Sequence, residues 1–185
     1  MCIRARGSFN PAQRARRTPG GAGLGAAWKF TALNLLIVVA GLAAPDAADP
    51  SVLAGSHVKL ERELDDIAVP GRYVMRLDRV DFPPGAVAHT HVHPGPGIRM
   101  VKTGEIEIRQ NGASHRYRAD DAWFERGPDP VLAPTTEREP TTFIRCMVLP
   151  TDWRGRNTIT YVDPADADRP KLQRYVRFID TLIEV

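Results

Sequence analysis

The chain has 185 residues, with 25 Lys and Arg against 22 Asp and Glu, a formal net charge of +3. Six of the basic residues (Arg4, Arg6, Arg14, Arg16, Arg17 and Lys29) precede position 45, and no acid does. Setting them aside leaves 19 basic against 22 acidic residues, a net of −3 for the remainder, which speaks against a nucleic-acid surface. Two cysteines, Cys2 in the leader and Cys146 in an apolar run, offer no disulfide framework, and Cys146 reads as a buried small hydrophobe.

Residues 1–44 read as a signal peptide or membrane anchor. A basic stretch runs into the apolar segment from Phe30 to Ala44, which is short for a full span. Positive charge ahead of that segment would place the folded part outside the cytoplasm, periplasmic or extracellular, or tethered by residues 30–44. The membrane is expected to be touched through this segment alone. Residues 45–51 form a Pro- and Asp-rich linker, and the domain is expected over 52–185 with its core at 70–150.

Arg72 to Phe82 alternates as a strand, with Val74 and Arg76 opposite Tyr73, Met75 and Leu77. Pro83-Pro84-Gly85 turns the chain into a second strand from Val87 to His93. A third follows the Pro-Gly loop at Ile98 to Val101. Asn111-Gly112 then predicts a type I′ hairpin joining Glu105–Gln110 to Ala113–Arg118, because both central residues of that turn need positive φ. Its two-residue loop sets Gln110 opposite Ala113, Ile108 opposite His115, Glu107 opposite Arg116, Ile106 opposite Tyr117 and Glu105 opposite Arg118. Later strands are expected at Ala122–Glu125, Thr142–Leu149 and Tyr175–Ile179, with a short helix as one reading of 168–173. Many short antiparallel strands at this spacing imply an all-β sandwich or barrel.

His89, His91 and His93 fall at i, i+2 and i+4, a parity that sends all three to one face of a regular strand. Alternate residues are about 6.6 Å apart, so neighbours can share one ion while the outer pair, about 13 Å apart, cannot unless the strand bends. The expected pair is therefore His91 and His93, with His89 as lining. Hydrogen-bonded polar filling of a barrel mouth is the alternative use of the same residues.

Gly85, five residues, then His91-Val92-His93 and Pro94-Gly95-Pro96 resembles the first motif of the cupin superfamily. Gly104 stands where that motif ends, and Ala119 to Phe124 looks like the start of the second motif. The resemblance covers about residues 70–150. It implies a small double-stranded β-helix (jelly-roll) barrel, often dimeric, whose interior holds a divalent metal such as Zn, Fe, Mn or Ni, or else a small molecule. Two departures stand out. Gly97 lies where metal-binding cupins carry a glutamate, and no histidine follows His115, so two of four usual ligands survive. Candidate replacements are His89, His115, Glu125 and His57. Arg99, on the face of Gly97, would suit a carboxylate or phosphate ligand, and Tyr117 and Trp123 are candidates for lining the pocket. Three readings stay open: a metal enzyme, a metal-free binding module for a small polar or anionic ligand, and a structural envelope protein with a vestigial site.

Overall fold

The computed structural model describes residues 2–5, 60–64, 67 and 71–184. The apolar segment 30–44, the linker 45–51 and His57 lie outside the described residues. Twelve strands are seen among them: β1 (Cys2–Ala5), β2 (Glu61–Leu64), β3 (Arg72–Phe82), β4 (Val87–Val92), β5 (Gly97–Thr103), β6 (Glu105–Gln110), β7 (Ala113–Arg118), β8 (Ala122–Glu125), β9 (Val131–Pro134), β10 (Thr141–Leu149), β11 (Thr160–Tyr161) and β12 (Arg174–Glu184). The first two pair in parallel. The others form two five-stranded sheets, ordered β12-β3-β10-β5-β8 and β11-β4-β9-β6-β7.

From β3 onward the chain steps from one sheet to the other at every connection except the β6–β7 hairpin. That alternation winds two facing antiparallel sheets around one interior, which is the cupin-like double-stranded β-helix barrel. Among the described residues no helix is long and apolar enough to cross a membrane.

Local chemistry explains the best-defined pieces. Asn111 and Gly112 take φ of 53° and 76°, the left-handed pair a type I′ turn requires. All five cross-strand partners expected from that turn are the observed ones. Arg118 reaches Glu105 at 2.8 Å and Arg116 reaches Glu107 at 3.7 Å on the solvent side, while Ile106 and Ile108 are buried on the other.

The tail differs from expectation. Residues 168–173 form no helix. A single 3-10 turn covers Pro164–Ala167 instead, where Asp163 Oδ1 accepts the Ala165 N–H at 2.9 Å and the proline occupies the first turn. Strand β9 was not expected. Pro130 precedes it and Pro134 ends it, and proline argues against a strand when read locally.

The barrel interior is banded. On β3 the inward positions run Val74, Arg76, Asp78, Val80, Phe82; on β10 they run Phe143, Arg145, Met147, Leu149; on β5, Gly97, Arg99, Val101. One end is an apolar cluster with Val80, Phe82, Val101, Ile106, Trp123 and Phe143. The other is closed by Val74, Met147 and Leu149 beneath Trp153. Charged side chains fill the band between. Outside this sheet Met75, Leu77, Ile98, Cys146 and Ile179 pack with Leu64 of β2. Burial there pushes the Cys146 thiol up to about 12, so it is an inert hydrophobe.

Candidate functional site

Strand β4 carries the histidines, but not as a regular strand would. Ala88 pairs with Ala133 and His91 with Val131, so three steps on β4 oppose two on β9. The extra residue is a β-bulge, and it reverses the side-chain parity between Ala88 and His91. Ala88, His91 and His93 consequently all face the interior, and the expectation that His89 shares their face is corrected. His89 is half-buried elsewhere, with Nδ1 3.8 Å from Asp166 of the 3-10 turn.

His91 and His93 are both 4% exposed, and their rings meet edge to face with centroids 4.8 Å apart. His91 Nδ1 lies 2.6 Å from the His89 carbonyl and His93 Nδ1 lies 2.8 Å from the Thr158 carbonyl. A carbonyl only accepts, so each Nδ1 carries the proton and each Nε2 is a bare lone pair. Both imidazoles hold their pKa below the ordinary value, chiefly because burial penalises the cation; for His93 the nearby Arg99 adds to this. They are neutral acceptors at neutral pH.

Arg99 arrives from β5 into space left by a missing side chain. A Cβ on Gly97 would stand 2.7 Å from the Cys146 carbonyl oxygen and from Met147 Cγ, and 3.0 Å from Arg99 Nη1. Glycine is thus required by the close Cys146 carbonyl, and beside the same bare backbone the guanidinium folds back and donates from Nη1 to the Gly97 carbonyl at 2.7 Å. Burial lowers the Arg99 pKa to about 10, partly offset by Glu125, which leaves it cationic at neutral pH. Its Nη2 approaches Glu125 Oε2 to 2.7 Å. That contact is an ion pair by distance, yet both atoms are buried without a hydrogen bond, since the approach is off the N–H axis. Glu125 is oriented from behind by Trp123, whose indole N–H donates to Oε1 at 2.8 Å. Its Oε2 also lies 3.6 Å from His93 Nε2. Two buried acceptors face each other there, and the Arg99 charge beside them offsets the repulsion.

Arg145, the register partner of Arg99 across β5 and β10, completes the band. It grips Asp78 with Nε to Oδ1 at 2.6 Å and Nη2 to Oδ2 at 2.9 Å, and Nη2 also reaches Thr158 Oγ1 at 3.2 Å. Since Thr158 is also the residue whose carbonyl orients His93, this pair braces the site. Neither Asp78 nor Arg145 was singled out from sequence, although Arg145 is the one charge in the apolar run from Phe143 to Leu149. Arg76 anchors the closing loop in the same manner, donating to Asp180 Oδ1 at 2.9 Å and to the carbonyls of Arg156 and Trp153.

His91, His93, Arg99, Trp123, Glu125 and Arg145 line one cavity with about 20 Å³ of room for the centre of a water-sized guest. The other candidates fall elsewhere. His115 is exposed on the edge strand β7 and is not a ligand of this centre. Tyr117 does not line the cavity; it stacks on Trp123 at 5.1 Å and packs against the core. Val131, buried and apolar, is the register partner of His91, in the stretch where the resemblance would want a further histidine.

A resident divalent metal does not fit this arrangement. Two bare imidazole nitrogens are offered, but the carboxylate that could be the third donor is held against a guanidinium, and Arg145 adds a second cation nearby. Among the described residues no group of three or more His, Cys, Asp or Glu is placed to hold a metal ion, and firm sites need three or more protein ligands.

No protein-family model and no curated protein matches this chain. Solved structures similar to it include a predicted oxalate decarboxylase from Thermotoga maritima (24% identity, TM-score 0.37, covering 40% of this chain and 64% of that one). Others are the DMSP lyase DddQ from Ruegeria pomeroyi (21%, TM-score 0.41, 48% and 44%) and an RmlC-like cupin from Shewanella frigidimarina (18%, TM-score 0.38, 42% and 68%). This chain thus spans less than two thirds of the length of the first two. The fold itself is read from the strand order above.

Proposed function

We propose that the barrel binds, without a resident metal, the end of a small hydroxylated acid or similar oxygen-rich molecule. The observation that carries this reading is the buried Arg99–Glu125 ion pair, whose Nη2 and Oε2 make no directed hydrogen bond, lining a cavity with two bare imidazole nitrogens. A buried polar atom that makes no directed hydrogen bond forgoes bonding that a guest could supply. Arg99 is the lone unspent donor among these four groups and the other three are acceptors. The complementary guest therefore accepts once, through a carboxylate or carbonyl oxygen, and donates through a hydroxyl to Glu125 or an imidazole. The cavity has room for little more than one water-sized group, so one oxygen of the ligand would enter it, with the rest lying towards Ile159 and Tyr175, which also line it. We also propose that this domain works outside the cytoplasm, on the strength of the leader composition, which cell fractionation of the full chain would check.

The test is calorimetric titration of the full chain with glycolate, which carries one hydroxyl and one carboxylate, against acetate and ethylene glycol, each lacking one of these. Saturable binding of glycolate, weakened at least tenfold for either control and lost in Arg99→Gln, is the expected result. Equal binding of all three probes, or undiminished glycolate binding by Arg99→Gln, would overturn the reading.

A further inference from the structure

The centre has the acceptors of a metal site and a cation already standing among them. Both His91 and His93 spend Nδ1–H on backbone carbonyls, the second-sphere arrangement that prepares Nε2 for ligation. Glu125 Oε2, 3.6 Å from His93 Nε2, is a third hard acceptor, held in orientation by Trp123. As placed, the three do not form a metal site, and Arg99, whose Nη2 sits 2.7 Å from that oxygen, keeps Glu125 engaged as an ion-pair partner. The guanidinium lies against the bare Gly97 backbone, where a Cβ would stand 3.0 Å from its Nη1.

We propose that Arg99 is a specificity-determining residue that takes the place of a metal: its fixed positive charge satisfies Glu125 and excludes divalent ions from a latent site formed by His91, His93 and Glu125. The inference rests on the metal-free reading above but is tested separately from it. A guanidinium does this work well because it stays protonated even when buried, hydrates weakly and cannot be removed by chelators or exchanged. A divalent ion entering beside it would meet like charge in a low-dielectric interior, where repulsion at about 4 Å exceeds what the same charges feel in water several-fold. It would also have to break the Glu125 contact to gain its third ligand. Removing the guanidinium reverses both effects, leaving a buried carboxylate without its counter-ion beside two bare imidazoles.

The experiment is titration of the full-length chain with Co²⁺ at neutral pH, followed by visible absorption, for the wild type, Arg99→Met and Arg99→Gln. Circular dichroism establishes that each is folded, and two variants are used so that misfolding of one does not end the test. The wild type is expected to give no visible band at equimolar Co²⁺. The Arg99 variants are expected to develop ligand-field bands that saturate at one equivalent, with affinity raised at least a hundredfold, and to lose them when His91→Ala or Glu125→Gln is added. Tight Co²⁺ binding by the wild type would overturn the proposal, because the guanidinium would then exclude nothing. Folded Arg99 variants that stay colourless would overturn it too, because no latent site would exist. Glycolate binding is read by calorimetry without metal and Co²⁺ binding by visible absorption without glycolate, so failure there and failure here are told apart.

Discussion

Two buried arginine–carboxylate pairs lie side by side in this barrel, and they are built to opposite rules. Arg145 and Asp78 make two short parallel hydrogen bonds, and Thr158 takes up a further contact. Arg99 and Glu125 come equally close, but Nη2 and Oε2 keep their directional bonds unspent. Arg99 and Arg145 are partners across neighbouring strands, so the two pairs share depth and surroundings. The difference teaches that burial of charge alone does not mark a site. Unspent bonding beside a cavity does. The Asp78 pair holds the scaffold and the Glu125 pair presents chemistry.

The largest effect that can break this comparison is expected on the scaffold side. Asp78→Ala leaves Arg145 buried without a counter-ion and should cost about 3–5 kcal/mol, read as a drop in the urea midpoint at unchanged slope. A loss below 1 kcal/mol would mean that the fully bonded pair braces nothing. Next comes the room reserved for Arg99. Gly97→Ala adds a Cβ where Cys146, Met147 and Arg99 already stand, and overpacking of this kind costs about 1–3 kcal/mol. The same variant should weaken glycolate binding, because Arg99 Nη1 must retreat; full retention of both stability and binding would show that Gly97 sets nothing.

A third prediction concerns acid. His91 and His93 have folded-state pKa values below that of the unfolded chain, so the unfolded state binds more protons as pH falls. Their neutral burial costs nothing above pH 6.5 and destabilises the fold as pH drops from 6.5 towards the depressed folded values. The slope is up to about 1.4 kcal/mol per pH unit for each histidine. Denaturation midpoints between pH 7.5 and 5 should show this fall, and His93→Gln should flatten it. An equally steep fall in His93→Gln would assign the acid sensitivity elsewhere. The smallest effect is far from either pair: Asn111→Ala removes, at φ 53° in the hairpin turn, the short polar side chain that tolerates the left-handed region, and should cost about 1 kcal/mol with glycolate binding unchanged.

How much of this was legible beforehand follows physical lines. Alternation in Arg72–Phe82 and the Asn-Gly turn are local signals, and strand bounds and hairpin register came out as read. That His91 and His93 share a face followed from period-two geometry, whereas alternation left Arg99 open between the interior and solvent, and its burial shows in the structure. His89 was misplaced because a bulge is a property of two strands: three steps of β4 oppose two of β9, and β9 itself is hidden between prolines. The Asp78–Arg145 pair joins residues 67 positions apart and shows in sequence only as charge at inward parity on two strands. Glu125 stood among several candidate ligands; its capture by Arg99, beside the bare Gly97 backbone, is something no periodicity reveals.

The central claim is that the resident cation of this cavity is a guanidinium. The most direct measurement is glycolate binding by the wild-type chain before and after exhaustive dialysis against EDTA, with metal content determined in both samples. The account predicts far less than one equivalent of any divalent metal and the same dissociation constant in both. Stoichiometric metal in the first sample, with binding lost when it is stripped, would contradict it.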